Sequence, residues 1–127
     1  MKRKELYLKN KRSIGFEKEA LARKYLEQNG YKMIEQNFYH RGGEIDIVAQ
    51  NEGYLVFVEV KYRATAEQGM PEEAITPKKQ QAMYHTAQYY MLRHGFSEET
   101  PCRFDVVVIL GEKIKVIKDA FDVSDIL

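Results

Sequence analysis

The fold is decided by residues 43–61, which read GEIDIVAQNEGYLVFVEVK. Two apolar runs, 43–50 and 54–62, have the β-branched and aromatic content of strands. The residues between them, Asn51-Glu52-Gly53, favour a turn. The stretch therefore predicts an antiparallel hairpin in the interior of a sheet.

Charged residues interrupt this hairpin in an ordered way. Because side chains alternate across a strand, Glu44 and Asp46 share one face, and so do Glu59 and Lys61. A turn with an even number of residues places Asp46 opposite Glu59 and Glu44 opposite Lys61. A three-residue turn without a bulge sends the two pairs to opposite faces. A charged site in this hairpin therefore depends on the turn.

In the even register, two like charges face each other across the sheet, which is destabilising. A proton, a nearby lysine or a divalent cation would remove that penalty. Oxygen ligands on rigid strands suit Mg²⁺ or Mn²⁺, and the backbone carbonyl of Val60 would add one more oxygen. Lys61 would then orient or deprotonate a water, or stabilise charge on a phosphate. These parts together predict phosphodiester hydrolysis, catalysed by Asp46, Glu59 and Lys61.

The competing interpretation is a solvent-facing strand edge with a Glu44–Lys61 salt bridge. The apolar neighbours of Glu59 and Lys61, residues 55–58 and Val60, argue against it. Charges in an interior strand are costly unless they are paired or coordinated.

Outward from the hairpin, the chain predicts an αβββαββ series, a mixed sheet flanked by helices. A first helix is expected from Ile14 to Gln28 with Ser13 as its N-cap, and a strand over residues 31–38. A second helix is expected after Thr76 and Pro77, ending at Gly95. Further predictions are strands at 102–110 and 113–117 and a tail, 119–127, that covers a sheet edge by a turn or short helix. We expect a basic arm over residues 1–12 and a single domain over 13–127.

Composition excludes several classes of protein. The chain has 127 residues, a net charge of +1 and one cysteine, Cys102. The single cysteine excludes an internal disulfide and multi-cysteine metal sites, and favours a cytoplasmic protein. No apolar run approaches the ~20 residues of a membrane span. We therefore expect no membrane partner.

The charge is unevenly distributed along the chain. Residues 1–24 hold nine Lys or Arg against three Glu, a local net charge of +6. Such a segment is attracted to a polyanion, although the charge alone favours a solvated tail. Lys78 and Lys79, at the start of the second helix, are interpreted equally well as phosphate contacts or as ordinary surface lysines. The candidate contacts to nucleic-acid phosphates are Lys2, Arg3, Lys4, Lys9, Lys11, Arg12, Lys78 and Lys79.

The motifs GEIDIVA (43–49), FVEVKYR (57–63), RFDVVVI (103–109) and the terminal DAF (119–121) resemble the YraN-type uncharacterised bacterial family. That family is similar to archaeal Holliday junction resolvases and to PD-(D/E)XK nucleases. The resemblance implies a restriction-endonuclease-like αβββαβ core. It implies metal-binding roles for Asp46 and Glu59 and a catalytic role for Lys61. Glu17 matches the helix-one glutamate of resolvase-like members, although its spacing alone favours a solvated side chain, and Glu44 belongs to the GEID motif.

We therefore expect a Mg²⁺- or Mn²⁺-dependent endonuclease acting on DNA, on branched or single-stranded structures. Catalytic residues would be Asp46, Glu59, Lys61 and Glu17, with Glu17 and Glu44 as further metal ligands. Symmetric cutting of a junction would call for a homodimer. The alternative is a nucleic-acid-binding or assembly protein on a nuclease fold without turnover. A glycosidase using the Asp46–Glu59 pair fits less well, because a short chain offers little cleft.

Overall fold

A computed structural model describes residues 2–122 as one five-stranded sheet with two helices. The elements follow the chain in the order αβββαββ, with a 3-10 turn, Pro71–Ala74, before the second helix. Their bounds are α1 Arg3–Gln28, β1 Lys32–His40, β2 Gly43–Asn51, β3 Tyr54–Arg63, α2 Pro77–Arg93, β4 Cys102–Leu110 and β5 Lys113–Ile117. The predicted mixed α/β class is confirmed, and the order is consistent with an αβββαβ nuclease-like core.

The strands lie in the sheet in chain order, from β1 to β5. β3 and β4 are parallel, whereas the other neighbouring pairs are antiparallel. A parallel pair needs a long crossover connection, and α2 supplies it. Within residues 2–122, neither helix has a stretch long and apolar enough to cross a bilayer.

The turn between β2 and β3 settles the register of the central hairpin. Asn51 pairs with Tyr54, so the loop consists of Glu52 and Gly53 alone. Both residues have positive φ, 52° and 84°, as a type I′ turn requires, and glycine adopts this conformation without strain. Pairing continues in the same register to Ile47 and Val58. The even register is confirmed for residues 47–58, and the three-residue alternative is excluded. The ladder ends at Ile47–Val58, so the predicted pairs Asp46–Glu59 and Glu44–Lys61 are not part of it.

Each face of the sheet carries its own apolar core. Ala22 and Leu26 of α1 are buried on one face, and Met83, Ala87 and Tyr90 of α2 on the other. The strand side chains in the α1 core are Ile47, Ala49, Val56, Val58, Val107 and Ile109. Those in the α2 core are Phe38, Ile45, Val48, Leu55, Phe57 and Phe104. Two helices therefore cover both faces of the interior strands.

α2 begins as predicted, because the Thr76 hydroxyl accepts a hydrogen bond from the Lys79 N–H at 3.2 Å and Pro77 occupies the first turn. The predicted start of α1 was wrong. The helix begins at Arg3, and Ser13 lies inside it rather than at its N-cap. Residues 3–12 are mostly Lys, Arg, Leu and Glu, which have high helix propensity, so the basic segment continues the helix. The predicted tail, 119–127, lies partly outside the described residues.

Candidate metal and phosphodiester site

The site is built around a bend in β2 at Asp46. Pairing with β1 passes from Gln36–Ile47 to Phe38–Ile45 and skips the two residues between them, Asn37 and Asp46. Asn37 has φ 54°, in the left-handed region. The bend changes which way the strand faces, since Ile45 packs in the α2 core and Ile47 in the α1 core. Asp46 is thereby freed from the regular ladder.

Asp46 reaches toward β3 from this bend. Its Oδ2 accepts a hydrogen bond of 2.8 Å from the Val60 N–H. In an extended strand the N–H and C=O of one residue point to the same side. The Val60 carbonyl therefore faces the side of Asp46, as a role in binding a cation would need.

Three carboxylates converge at the bend. Glu19 of α1, Glu44 and Asp46 each have an oxygen within 4.8 Å of the others. With its amide nitrogen turned toward them, Asn37 donates to Glu44 Oε1 at 3.2 Å and to Glu19 Oε2 at 3.1 Å. The residue whose backbone allows the bend therefore also holds two of the acids.

Glu59 of β3 adds a fourth acid beside this group. The side chain is buried, and its Oε1 lies 3.3 Å from Lys61 Nζ and 3.4 Å from Lys79 Nζ. The other oxygen, Oε2, is buried and has no hydrogen-bond donor among the described side chains and backbone. Leaving a buried carboxylate oxygen without a partner is costly. Two lysines therefore neutralise one side of Glu59 only.

The electrostatics of the site disfavour full ionisation. Burial, followed by the charge of Glu59, raises the pKa of Asp46 to about 8 from an ordinary 3.8, although the Val60 N–H opposes the shift. Burial also raises the pKa of Glu19, with the charges of Glu44 and Glu59 adding to it and the Asn37 hydrogen bond opposing it. Four acids face two lysines, so the site has an excess of negative charge.

A divalent cation fits this donor set. Hard cations such as Mg²⁺ and Mn²⁺ take carboxylate and carbonyl oxygens. The free Oε2 of Glu59 is a buried acceptor without a donor, and Asp46 is held in place by Val60. A bound cation would give Glu59 Oε2 a partner and would favour the ionised form of Asp46.

The structure places the predicted site residues unequally. Asp46 and Glu44 lie in the group of converging carboxylates, and Glu59 lies beside it with Lys61 as its ion-pair partner. Glu17 is exposed and lies outside that group. Glu19 takes the place expected of Glu17. The sequence did contain a signal for Glu19, since it precedes the buried Ala22 and Leu26 by three and seven residues, the spacing of one helix face. Asn37 was missed as well, because nothing local to it indicates the bend.

The candidate phosphate contacts fall into two groups. All six basic residues of 2–12 have exposed side chains, on or just before the first half of α1. Lys78 is also exposed, whereas Lys79 is half-buried against Glu59. Lys79 therefore belongs to the acidic site rather than to the open surface.

A second buried charged cluster lies at the opposite end of the sheet. The Arg103 guanidinium donates to both oxygens of Asp105 at 2.9 Å, to Asn51 Oδ1 at 2.7 Å and to the Tyr31 hydroxyl at 3.2 Å. Tyr31 in turn donates to Asp105 Oδ2 at 2.6 Å, and the Asp119 N–H donates to Oδ1 at 3.0 Å. In the sequence, Arg103 and Asp105 belong to the RFDVVVI motif and Asp119 to the DAF motif, but neither motif predicted this cluster.

Comparison with known proteins identifies the family. Residues 18–109 match the model of the uncharacterised protein family UPF0102, so the chain belongs to that family. A UPF0102 protein of Lachnoclostridium phytofermentans is 56% identical over 113 residues, which cover 89% of this chain and 96% of the relative. The UPF0102 protein YraN of Escherichia coli is 43% identical over 105 residues, covering 82% and 80%. The resemblance to the YraN-type family is confirmed.

Proposed function

We propose that this member of the uncharacterised protein family UPF0102 is a metal-dependent endonuclease that hydrolyses phosphodiester bonds in DNA. The observation that carries the proposal is the buried, unpartnered Oε2 of Glu59 next to Asp46. Buried acceptors are nearly always paired, so one left without a donor marks a place for a ligand. The surrounding excess of carboxylates makes that ligand a cation.

Asp46 and Glu59 would hold Mg²⁺ or Mn²⁺, with the Val60 carbonyl, Glu44 and Glu19 as the other oxygen donors in reach. A divalent cation in such a site supplies Lewis acidity, which polarises a phosphoryl oxygen and makes water more acidic at neutral pH. With its amide nitrogen turned toward them, Asn37 donates to both Glu19 and Glu44, which would order these two acids before a cation arrives.

Lys61 supports phosphate chemistry more than sugar chemistry. Its ammonium contacts buried Glu59 at 3.3 Å, yet the side chain is partly exposed, so it connects the acids with incoming substrate. From there it orients or deprotonates the attacking water, or stabilises charge that develops on the phosphate. Lys79 shares the same Glu59 oxygen, and so either lysine is able to keep the acid neutralised while the other contacts the phosphate.

The basic half of α1 supports DNA as the polymer. Six Lys or Arg lie within residues 2–12 against one acidic residue, Glu5. Positive side chains bind the phosphate backbone without regard to sequence. A protein that binds nucleic acid without turnover has the same basic segment but no use for a cation-binding excess of acids.

The test is cleavage of end-labelled linear, branched and single-stranded DNA with Mg²⁺ or Mn²⁺, and with EDTA. We expect metal-dependent cleavage by the wild type and its loss in Asp46→Asn and Lys61→Met. Glu27→Gln is the matched control, since Glu27 is an exposed glutamate near the far end of α1. Tight DNA binding without cleavage of any substrate, at millimolar metal, would instead support the non-catalytic alternative.

A further inference from the structure

The half of α1 that precedes the acidic site has its side chains exposed. The C-terminal half packs on the sheet through Ala22 and Leu26, and Glu19 marks the point where the helix passes the acidic site. Every side chain of residues 3–17 is exposed. At 1.5 Å per residue, this exposed part of the helix is about 22 Å long.

An exposed aromatic side chain lies on this helix next to the acids. Phe16 precedes Glu19 by three residues, so the two side chains are neighbours on one face of α1. Its side chain is 68% exposed. Arg12, a further turn away, continues the same face. Phe16 therefore lies between the acidic site and the basic residues of the helix.

A second exposed aromatic side chain borders the site from the sheet. Tyr39 of β1 pairs directly with Glu44 of β2, so the two side chains lie together on one face. At this distance the charge of Glu44 raises the pKa of the Tyr39 hydroxyl. Tyr39 is nevertheless 66% exposed. Its ring is open to a ligand at the edge of the acidic site.

We infer that the site takes a phosphodiester bond within unpaired nucleotides, whose bases stack on Tyr39 and Phe16 while the basic half of α1 holds the neighbouring phosphates. The inference deepens the proposed function and rests on it. Unpaired bases stack on exposed aromatic rings regardless of sequence, whereas the bases of an intact duplex are already stacked on one another. The preferred substrate would be single-stranded DNA or the unpaired part of a branched structure.

Charge favours nucleic acid over a second copy of the chain as the occupant of this surface. Residues 2–12 carry six basic side chains and one acidic one, a net charge of +5. An interface between two such helices would bring like charges together. A polyanion complements the same surface.

The test measures binding in EDTA, so that it depends on neither cation nor turnover. Fluorescence anisotropy would compare labelled oligothymidylate with a duplex of the same length. The variants are Phe16→Leu and Tyr39→Leu, which keep apolar bulk but remove the ring, and Tyr39→Phe, which keeps the ring. Tyr7→Leu is the control, since Tyr7 is similarly exposed, at 63%. It lies nine residues before Phe16, two and a half turns, so its side chain points to the opposite side of α1.

We expect the wild type to prefer the single strand. Each ring-removing variant should weaken binding to the single strand about tenfold and leave duplex binding unchanged. Tyr39→Phe and Tyr7→Leu should bind like the wild type.

Any one of three binding results would overturn the inference. They are equal wild-type affinity for single strand and duplex, normal binding by both ring-removing variants, and an equal loss in Tyr7→Leu. A dimer in sedimentation that Phe16→Leu abolishes would assign the surface to a second copy and would also overturn it. The proposed function fails separately, when the wild type binds single strands as expected but cleaves none with Mg²⁺ or Mn²⁺.

Discussion

The two ends of the sheet each bury a charged cluster, and the clusters differ in how well their charges are matched. At the Arg103 end, both oxygens of Asp105 accept several hydrogen bonds, although Asp105 is 0% exposed. At the Asp46 end, four acids face two lysines, and one oxygen of Glu59 has no donor among residues 2–122. The first cluster is complete within the chain, and the second is not.

The difference separates a structural cluster from a functional one. A buried ion pair with all its hydrogen bonds fixes a unique arrangement of the elements around it. An incomplete cluster lowers stability unless a ligand completes it, and proteins retain such sites where function needs them. Removing charge should therefore have opposite effects on stability at the two ends.

The largest effect is expected from Arg103→Met. This change leaves Asp105 buried without its cation, which typically costs about 3–5 kcal/mol in the free energy of unfolding. Urea unfolding followed by circular dichroism measures the loss. The double variant Arg103→Met/Asp105→Asn should recover part of it, because the unpaired charge is gone. A loss below about 1 kcal/mol in the single variant would show that the cluster is not structural.

Asp46→Asn, measured in EDTA, should raise the free energy of unfolding rather than lower it. The amide oxygen still accepts from the Val60 N–H, but the cost of burying an ionisable carboxyl group beside Glu59 is removed. We expect a gain of about 1 kcal/mol in the free energy of unfolding. Saturating Mn²⁺ should stabilise the wild type and not the variant, since a ligand that binds only the folded state adds stability. A clear loss of stability in EDTA would contradict the comparison.

A smaller loss is expected from Tyr31→Phe. The change removes the 2.6 Å hydrogen bond to Asp105 Oδ2, while Arg103 continues to neutralise the acid. The expected cost is about 1–2 kcal/mol, measured by the same urea unfolding. Tyr25→Phe on α1 is a suitable control for loss of a tyrosine hydroxyl. Equal losses of stability in Tyr31→Phe and Tyr25→Phe would show that the Tyr31 hydroxyl does not stabilise the cluster.

Much of the acidic site could be predicted from local sequence. Asn51-Glu52-Gly53 predicted a turn but left open whether it has an even or an odd number of residues, so the register came from the structure. The charges of Glu59 and Lys61 within an apolar strand predicted a charged site in the hairpin. The bend at Asp46 could not be predicted, because it depends on the left-handed backbone of Asn37 in a neighbouring strand. The Arg103 cluster was missed for a similar reason. Its partners, Tyr31 and Asn51, are distant in the chain, so no short motif records the contacts.

Matching short motifs could not show which of the two glutamates of α1, Glu17 or Glu19, lies at the acidic site. Glu17 was predicted from the resemblance to resolvase-like proteins, whereas Glu19 lies on the partly buried helix face beside Asp46. We expect Glu19→Gln to weaken Mn²⁺ binding several-fold and Glu17→Gln to leave it unchanged, as titrated by calorimetry. The reverse pattern would restore Glu17 as the ligand and remove Glu19 from the site. Glu17→Gln should be within about 0.5 kcal/mol of the wild type in stability, because the Glu17 side chain is exposed.

The most direct test of the account is calorimetric titration of the wild type with Mn²⁺, beside Asp46→Asn and the control Glu27→Gln. The account predicts saturable binding by the wild type and Glu27→Gln, and at least a tenfold loss of affinity in Asp46→Asn. No binding by the folded wild type at millimolar Mn²⁺, or equal affinity in Asp46→Asn, would contradict the claim that the acidic cluster is completed by a cation.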